Sequence, residues 1–197
     1  VLCLAVSVMV AYAITRMRMK HANLVRMYFT MGMLIPVSVL MIPVYRLVMT
    51  LGIKGTAWSL ILPYAAFAMA SAILMICAFF RSIPVEMEEA AAIDGCPPTK
   101  TFWLIMLPMA QPGIITVTIF NFINIWNEYF ISLIFANSDK LRPIAVGLYS
   151  MINSMKYTGD WAGMFAAVVI VFLPTFILYI FLSEKIIAGV TGGGVKG

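Results

Sequence analysis

Charged residues are scarce in this chain, where they make up 11% of 197 residues. Soluble globular domains carry roughly 25% charged residues, so this shortage excludes an ordinary soluble fold. Hydrophobic residues take the place of the missing charges, at 63% of the sequence, and the mean hydropathy is +1.01. The composition indicates an integral membrane protein that lies in a lipid bilayer.

Cysteine and histidine are also few, and the sequence has no nucleotide-binding motif. The three cysteines, Cys3, Cys77 and Cys96, have no paired spacing that would indicate a disulfide framework or a metal site. His21 is the one histidine and lies in a basic segment, where a solvated role is favoured over a proton relay. The closing run 192–197 has the wrong residue order for the phosphate-binding loop G-x-x-x-x-G-K-[ST]. We therefore expect no catalytic residue, metal or cofactor on this chain.

Long apolar runs recur along the chain. Crossing a hydrocarbon core of about 30 Å takes roughly 20 helical residues. Four runs reach this length, at 28–49, 57–80, 112–136 and 161–182, and a shorter run covers 1–14. We predict an all-α bundle of transmembrane helices with these five spans. Because the chain begins with Val1 rather than Met, we expect an upstream helix and the start of the short run to be missing from it.

Basic residues are distributed unevenly between the alternate segments that join these runs. One set consists of Arg16, Arg18, Lys20, Arg26, Arg81, Lys100, Lys185 and Lys196, and the opposite set of Lys54, Lys140, Arg142 and Lys156. By the positive-inside rule, the larger set lies on the cytoplasmic side. This topology accounts for most of the net charge of +5, so nucleic-acid binding is not needed to explain it.

A polar, helix-breaking segment separates the second long run from the third. Ser82 predicts the cap of a helix over about 84–94, whose first turn is acidic. Gly95 tolerates positive φ, and Pro97-Pro98 permits a fresh turn into a second helix over 101–106. The sequence therefore predicts two short helices joined by a sharp elbow.

Such an elbow would form a rigid knob for a partner. The alanines at 90–92 offer a small-residue surface on which a partner can sit closely, and Glu89 can bind a basic side chain. The alternative is an amphipathic loop that lies on the inner headgroups, with Phe102 and Trp103 as interfacial anchors.

Polar residues form a stripe within the third long run. Asn121, Asn124 and Glu128 recur at helical spacing, with Asn127 close by. Such groups avoid lipid, so this face turns toward a bundle interior or a wet cavity. Amide and carboxylate groups beside Trp126 suit a sugar, whose hydroxyls need hydrogen bonds and whose C–H faces stack on rings. A hydrogen-bonded clamp between helices is the alternative, and both remain open.

Three motifs resemble the permease subunits of bacterial ATP-binding-cassette (ABC) importers. The spacing E-A-A-x3-G-x9-I-x-L-P resembles their cytoplasmic coupling loop, and W-N-E at 126–128 resembles the W-N-[DE] of sugar-importer permeases. The closing G-G-G-V-K-G resembles a tail that reaches between ATPase subunits in some members, which implies contacts by Gly194 and Lys196; a frayed terminus is the alternative. The coupling-loop residues are Glu89, Ala90, Ala91, Asp94, Gly95, Ile105, Leu107 and Pro108.

The likeness covers nearly the whole chain, from A-Y-A at 11–13 through F-F-R-S-I-P at 79–84 to the terminal V-K-G. The chain resembles the second permease subunit of a maltose-permease-type carbohydrate importer. This implies the type I ABC importer permease fold, with about six spans in a complete subunit, in the bacterial inner membrane. It also implies one transmembrane domain over 1–197, which includes a cytoplasmic coupling loop at 82–108 and a cytoplasmic tail at 184–197.

The resemblance implies partners as well. These are ABC ATPase subunits bound through the coupling loop, a second homologous permease subunit, and an extracytoplasmic solute-binding protein. ATP and Mg²⁺ would be used by the ATPase, and this chain would move a sugar or oligosaccharide by alternating access. Two alternatives remain: an importer of another solute, such as a polyamine, glycerol phosphate or an amino acid, and a membrane scaffold without transport.

Overall fold

The computed structural model describes residues 1–17, 19–136 and 139–194, and at 139, 156, 158 and 182–194 it describes the backbone alone. Throughout these residues the regular structure is helical, without a strand, which confirms the predicted all-α architecture. The helices are α1 (Leu2–Arg16), α2 (Ala22–Leu34), α3 (Val37–Thr50), α4 (Trp58–Ser82), α5 (Glu86–Ile93), α6 (Pro98–Thr101), α7 (Leu107–Met109), α8 (Gln111–Asn127), α9 (Phe130–Phe135), α10 (Ile144–Thr158) and α11 (Trp161–Gly194). A π-helical stretch, Phe102–Met106, joins α6 to α7, and a short 3-10 helix, Asp139–Leu141, precedes α10.

Two of the described helices are long and apolar enough to cross a bilayer by themselves, namely α4 and the Trp161–Phe181 part of α11. They confirm the spans predicted over 57–80 and 161–182. Two bent pairs, α2 with α3 and Pro98–Met109 with α8, bring the number to four when each pair is counted as one span. α1 is a shorter apolar helix, as the run over 1–14 predicts.

The span predicted over 28–49 corresponds to the bent pair of α2 and α3 and not to one continuous helix. Pro36 has extended backbone, with φ −60° and ψ 132°, and separates α2 from α3. A proline disfavours helical geometry in the residue before it and has no N–H to donate. Pro43, Pro63 and Pro174 nevertheless stay inside helices, because packing around a membrane helix can compensate for a lost backbone bond.

The helix predicted over 112–136 is also interrupted. α8 ends at Asn127 and α9 begins at Phe130, and Tyr129 between them has φ −121° and ψ −27°. The carboxylate of Glu128 binds backbone amides at the start of α9, which stabilises the new helix end. The prediction that Asn121, Asn124 and Glu128 share one helical face is therefore wrong, because Glu128 lies in the break between α8 and α9.

Contacts between Cα atoms divide the chain into two compact units. The first holds Val1–Leu34, Ala68–Phe120 and the chain from Glu184, and the second holds Ile35–Phe67 and Asn121–Ser183. The single domain predicted over 1–197 stays a prediction.

In the first unit, the ring of Tyr12 on α1 packs against two other rings. Its centroid lies 5.5 Å from that of Phe80 on α4 and 4.8 Å from that of Phe102 in the π-helical stretch. Gly113 lets α8 pass directly over the Phe79 ring, because a Cβ at this position would overlap that ring. These contacts fix the helices from which the segment 82–108 emerges.

In the second unit, the core forms around α9. The buried cluster consists of Met41, Val48, Leu60, Ile131, Phe135 and Ala136. Tyr64 on α4 packs against this cluster, which brings its hydroxyl to the break between α8 and α9.

α11 contrasts with these packed helices. None of its most hydrophobic window, within Trp161–Phe181, is buried inside the chain, and large rings such as Phe165 and Phe181 are exposed. A helix this apolar requires lipid or another protein around it.

Candidate functional site

The segment 82–108, here named the coupling segment, forms the two short helices that the sequence predicts. The first is α5, Glu86–Ile93, and the second begins with α6 at Pro98 and continues to Met109. The predicted cap is wrong: the Ser82 hydroxyl donates to the Phe79 carbonyl at 2.8 Å, because Ser82 belongs to the last turn of α4. Val85 precedes α5 and makes no side-chain cap bond.

The elbow is a Schellman motif centred on Gly95. Its φ of 72° lies in the left-handed region, which favours glycine because a Cβ there meets the neighbouring carbonyl. The amide of Cys96 donates to the Ala91 carbonyl at 2.8 Å, and the amide of Gly95 donates to the Ala92 carbonyl at 3.1 Å. These bonds satisfy the end of α5 and fix the direction in which the chain leaves it.

α5 has an outer face and an inner face. Glu89, Ala90 and Ile93 are exposed, and Ile93 is 87% exposed at the tip of the elbow. Ala91 is only 4% exposed, so its small size serves packing within the chain and not a surface for a partner. Glu88 is half-buried on the inner side. The consecutive glutamates thus lie on different faces of the same helix, about 100° apart.

The second helix of the coupling segment also has two sides. Phe102 and Met106 are buried, whereas Trp103 and Leu104 are exposed. Ile105 and Leu107, which belong to the predicted motif, are half-buried, and Pro108 is exposed. The motif residues of this helix therefore contribute partly to packing, and the apolar outer surface comes from residues that the motif does not specify.

The structure adds two residues to the site that the sequence analysis did not identify as site residues. Arg16, at the end of α1, pairs with Glu88 through Nη1 and Oε2 at 3.2 Å. The Tyr12 hydroxyl donates to Oε1 of Glu88 at 3.0 Å. The Arg16 and Glu88 side chains are 7% and 20% exposed, so the pair is largely shielded from solvent. Four-residue spacing between Tyr12 and Arg16 puts both on one face of α1 and was the available signal.

The remaining donors of Arg16 bind the end of α4. Nε donates to the Phe80 carbonyl at 3.1 Å, and Nη2 donates to the carbonyls of Phe80 and Ile83. The last carbonyls of a helix lack intrahelical partners and carry the negative end of the helix dipole. A cation at this position is therefore favoured both by hydrogen bonding and by the dipole.

A second cluster lies at the break between α8 and α9. Oε2 of Glu128 accepts a hydrogen bond from the Tyr64 hydroxyl at 2.7 Å, and Oε1 accepts one from the Ile131 amide at 2.7 Å. The Ser132 amide donates to Oε2 at 3.3 Å, and the Ser132 hydroxyl shares a hydrogen bond with Tyr64. Glu128 thus stabilises the first turn of α9 and links it to α4.

The other residues of the predicted substrate pathway differ in their surroundings. Trp126 Nε1 donates to the Val171 carbonyl on α11 at 2.9 Å, and its ring stacks on Phe122 at 5.6 Å. Asn127 donates to the Ile123 carbonyl within its own helix, and its side chain remains exposed. Asn124 is exposed and Asn121 half-buried. Contacts between helices are therefore observed for Trp126 and Glu128, whereas the amides of Asn124 and Asn127 lie at the surface of the chain.

The predicted C-terminal contacts lie at the end of the described structure. α11 continues to Gly194, and Lys196 lies outside the described residues.

Residues 4–187 match the family described as "Binding-protein-dependent transport system inner membrane component". The sulfoquinovosyl glycerol transport system permease protein of Agrobacterium fabrum is 31% identical over 196 residues, which cover 100% of this chain and 68% of that protein. The trehalose transport system permease protein of Mycobacterium tuberculosis is 29% identical over 197 residues, which cover 100% of this chain and 72% of that protein.

A solved structure shares the fold. It is that of a bacterial ABC transporter involved in the import of the acidic polysaccharide alginate, and it matches with a TM-score of 0.76 at 22% identity. The match covers 93% of this chain and 68% of that one. At this identity the likeness shows the fold alone, which confirms the predicted ABC importer permease fold.

The two relatives are permease components and not enzymes. The family match spans most of the chain, and the relative from Agrobacterium exceeds 30% identity over the full chain. The chain therefore belongs to the family of inner-membrane permease components of binding-protein-dependent ABC transport systems.

Proposed function

We propose that this chain is a permease subunit of an ATP-driven, binding-protein-dependent importer of a sugar or oligosaccharide, and that α5 is its docking site for the ATPase. The observation that carries the proposal is the coupling segment, a rigid elbow with one face tied to the chain and the other exposed. Ile93 and Glu89 supply an apolar contact and a charge on this outer face. A partner with an apolar cleft and a nearby basic residue would complement them.

ATP and Mg²⁺ belong to the ATPase subunit in this proposal. Closure of two ATPase subunits on ATP would displace the docked α5, and the helix bundle would then alternate between inward-open and outward-open states. The coupling segment and the tail with Gly194 and Lys196 lie on the cytoplasmic side, as the larger basic set indicates. An extracytoplasmic binding protein delivers the solute on the other side.

The choice of a sugar rests on the relatives and on the polar residues of α8. Two relatives are named for the transport of trehalose and of sulfoquinovosyl glycerol. Asn124 and Asn127 are exposed amides that can bind hydroxyls. The ring of Tyr129, two residues after Asn127, stacks on that of Tyr149, with the centroids 5.3 Å apart. Residues 121–129 contain no basic side chain, which disfavours a phosphorylated solute.

A second permease subunit completes the pathway. The unburied face of α11 provides apolar surface for lipid or for that subunit. The proposal takes the second subunit to be a different, homologous chain.

The docking surface is tested by co-purification of the ATPase with the assembled importer. Burying an isoleucine contributes about 1.5–3 kcal/mol, so Ile93→Ser should weaken binding of the ATPase by about tenfold or more. Glu89→Lys should weaken it as well, because the charge on the outer face is reversed. Leu51→Ser is the matched control, since Leu51 is also an exposed apolar residue, at the end of α3. Equal retention of the ATPase by all three variants would exclude α5 as the docking site.

The solute is tested with the importer reconstituted in liposomes. Loaded binding protein should stimulate ATP hydrolysis for one sugar within a panel of mono- and oligosaccharides, polyols and polyamines. Stimulation by a polyamine or polyol alone would overturn the sugar assignment and leave the importer function in place.

A further inference from the structure

The guanidinium of Arg16 joins groups on both sides of a short linker. Residues 83–85 connect α4 to α5, and such a linker by itself fixes the distance between two helices but not their angle. Arg16 binds the Phe80 and Ile83 carbonyls on one side of the Pro84-Val85 step and the Glu88 carboxylate on the other. The angle between the end of α4 and the start of α5 is therefore held by a side chain from a third helix.

The chemistry of this contact is specific to arginine. A guanidinium presents five N–H donors in a fixed plane, and Arg16 uses both Nη groups and Nε. A lysine carries its three N–H donors on a single nitrogen, so it lacks the planar fork with which Arg16 binds the carboxylate and the carbonyls. Tyr12 binds the second oxygen of Glu88, which leaves the carboxylate little freedom to rotate.

The neighbouring glutamates Glu88 and Glu89 have different surroundings on α5. Glu89 is exposed on the outer face, where the proposed ATPase docks, whereas Glu88 lies on the inner face against Arg16. The contacts connect α5 to α1 through Arg16 and Tyr12, and to α4 through the carbonyls that Arg16 binds.

We propose that Arg16, Tyr12 and Glu88 are positioning residues that fasten α5 to α1 and α4, so that displacement of α5 moves both helices together. The proposal rests on the function proposed above, since it assumes that an ATPase moves α5. It predicts that loss of the cluster uncouples ATP hydrolysis from transport while the ATPase remains docked.

The test uses the complete importer reconstituted in liposomes with its ATPase and binding protein. Three quantities are measured for each variant: the ATPase retained on purification, ATP hydrolysis with and without loaded binding protein, and solute taken up per ATP hydrolysed. The variants are Arg16→Gln, Arg16→Lys, Glu88→Gln, Tyr12→Phe and the double variant Arg16→Gln/Glu88→Gln. Lys20→Gln is the matched control, because Lys20 is an exposed cation just after α1.

We expect Arg16→Gln and Glu88→Gln to retain the ATPase and to lower uptake per ATP. The expected decrease is about tenfold, which lies within the range of typical coupling factors between two sites. Arg16→Lys and Tyr12→Phe should lower it less. The double variant should lose no more than Arg16→Gln alone, because both changes remove one interaction. The control should match the wild type.

Unchanged uptake per ATP in both Arg16→Gln and Glu88→Gln would overturn the proposal. So would losses that simply multiply in the double variant. If Arg16→Gln fails to insert or assemble, the conservative changes Glu88→Gln and Tyr12→Phe decide the matter, and wild-type ratios in both would count against the cluster. Failure of the wild-type chain to retain any ATPase would instead refute the proposed function, which separates the two hypotheses.

Discussion

Replacement of Gly113 by alanine should destabilise the first unit, although alanine is the better helix former. A Cβ at Gly113 would lie 2.6 Å from Cδ1 of Phe79 and closer still to Cγ and Cδ2. Carbon atoms pack at about 3.5–4.0 Å, so the ring must move by about 1 Å or more. Overpacking of this kind costs about 1–3 kcal/mol, and alanine returns about 0.5–1 kcal/mol of helix propensity. The expected net loss is about 0.5–2 kcal/mol.

The loss of stability is measured as a fall in melting temperature. This is the temperature at which the detergent-solubilised subunit disappears from the monodisperse peak in size-exclusion chromatography. For a chain of this size, 1 kcal/mol corresponds to roughly 2–4 °C, so a fall of a few degrees is expected. Gly32→Ala is the matched control, because Gly32 also lies in a helix but a Cβ there meets nothing within 4 Å. Gly32→Ala should leave the temperature unchanged or raise it. Phe79→Leu should partly rescue Gly113→Ala. A rise for Gly113→Ala equal to that for Gly32→Ala would refute the packing argument.

Three further outcomes are expected. Gly95→Ala should strain the elbow by about 1 kcal/mol, because an L-residue is disfavoured at positive φ, and should reduce retention of the ATPase in co-purification. Glu128→Ala should lower the melting temperature by several degrees, since it removes the acceptor of the amides in the first turn of α9 and one of the hydrogen bonds of Tyr64, whereas Asn124→Ala should not. Trp126→Phe should cost about 1 kcal/mol for the lost bond to the Val171 carbonyl, seen as a smaller fall in the same assay. A melting temperature for Glu128→Ala equal to that of Asn124→Ala would contradict the assigned role of the carboxylate.

Local chemistry made the elbow predictable from the sequence. Gly95 before two prolines leaves few alternatives to a helix end and a fresh start, and both occur at the expected place. The apolar runs around Trp58–Ser82 and Trp161–Phe181 were equally clear, because length and composition alone decide whether a helix can cross a bilayer.

The interrupted helices were harder to predict, because the outcome depends on tertiary contacts. Nothing in the spacing of residues 121–128 reveals that Tyr64 and the amides of α9 bind Glu128 and stabilise a break there. Pro36 ends a helix whereas Pro43 does not, although both lie in the same apolar run. Such differences depend on which neighbours satisfy the backbone, and one sequence does not give that information.

The partners of Arg16 could not be predicted either, although its four-residue spacing from Tyr12 places both residues on one face of α1. Its partners lie between 64 and 72 residues away along the chain, so no local pattern connects them. The positive-inside rule uses only the charge of Arg16 and gives no information about the residues that it contacts.

Because Glu88 and Glu89 lie on different faces of α5, any redesign of this region must keep the register between α5 and the linker before it. Neighbouring residues lie about 100° apart around a helix, so a junction that shifts the sequence of α5 by one residue would place a different side chain toward Arg16. In a chimaeric permease that carries a foreign α5, a one-residue shift at the junction would therefore displace the carboxylate that faces Arg16. The two junctions of such a graft should accordingly lie before Phe80 and after Cys96, so that the linker and α5 are transferred together.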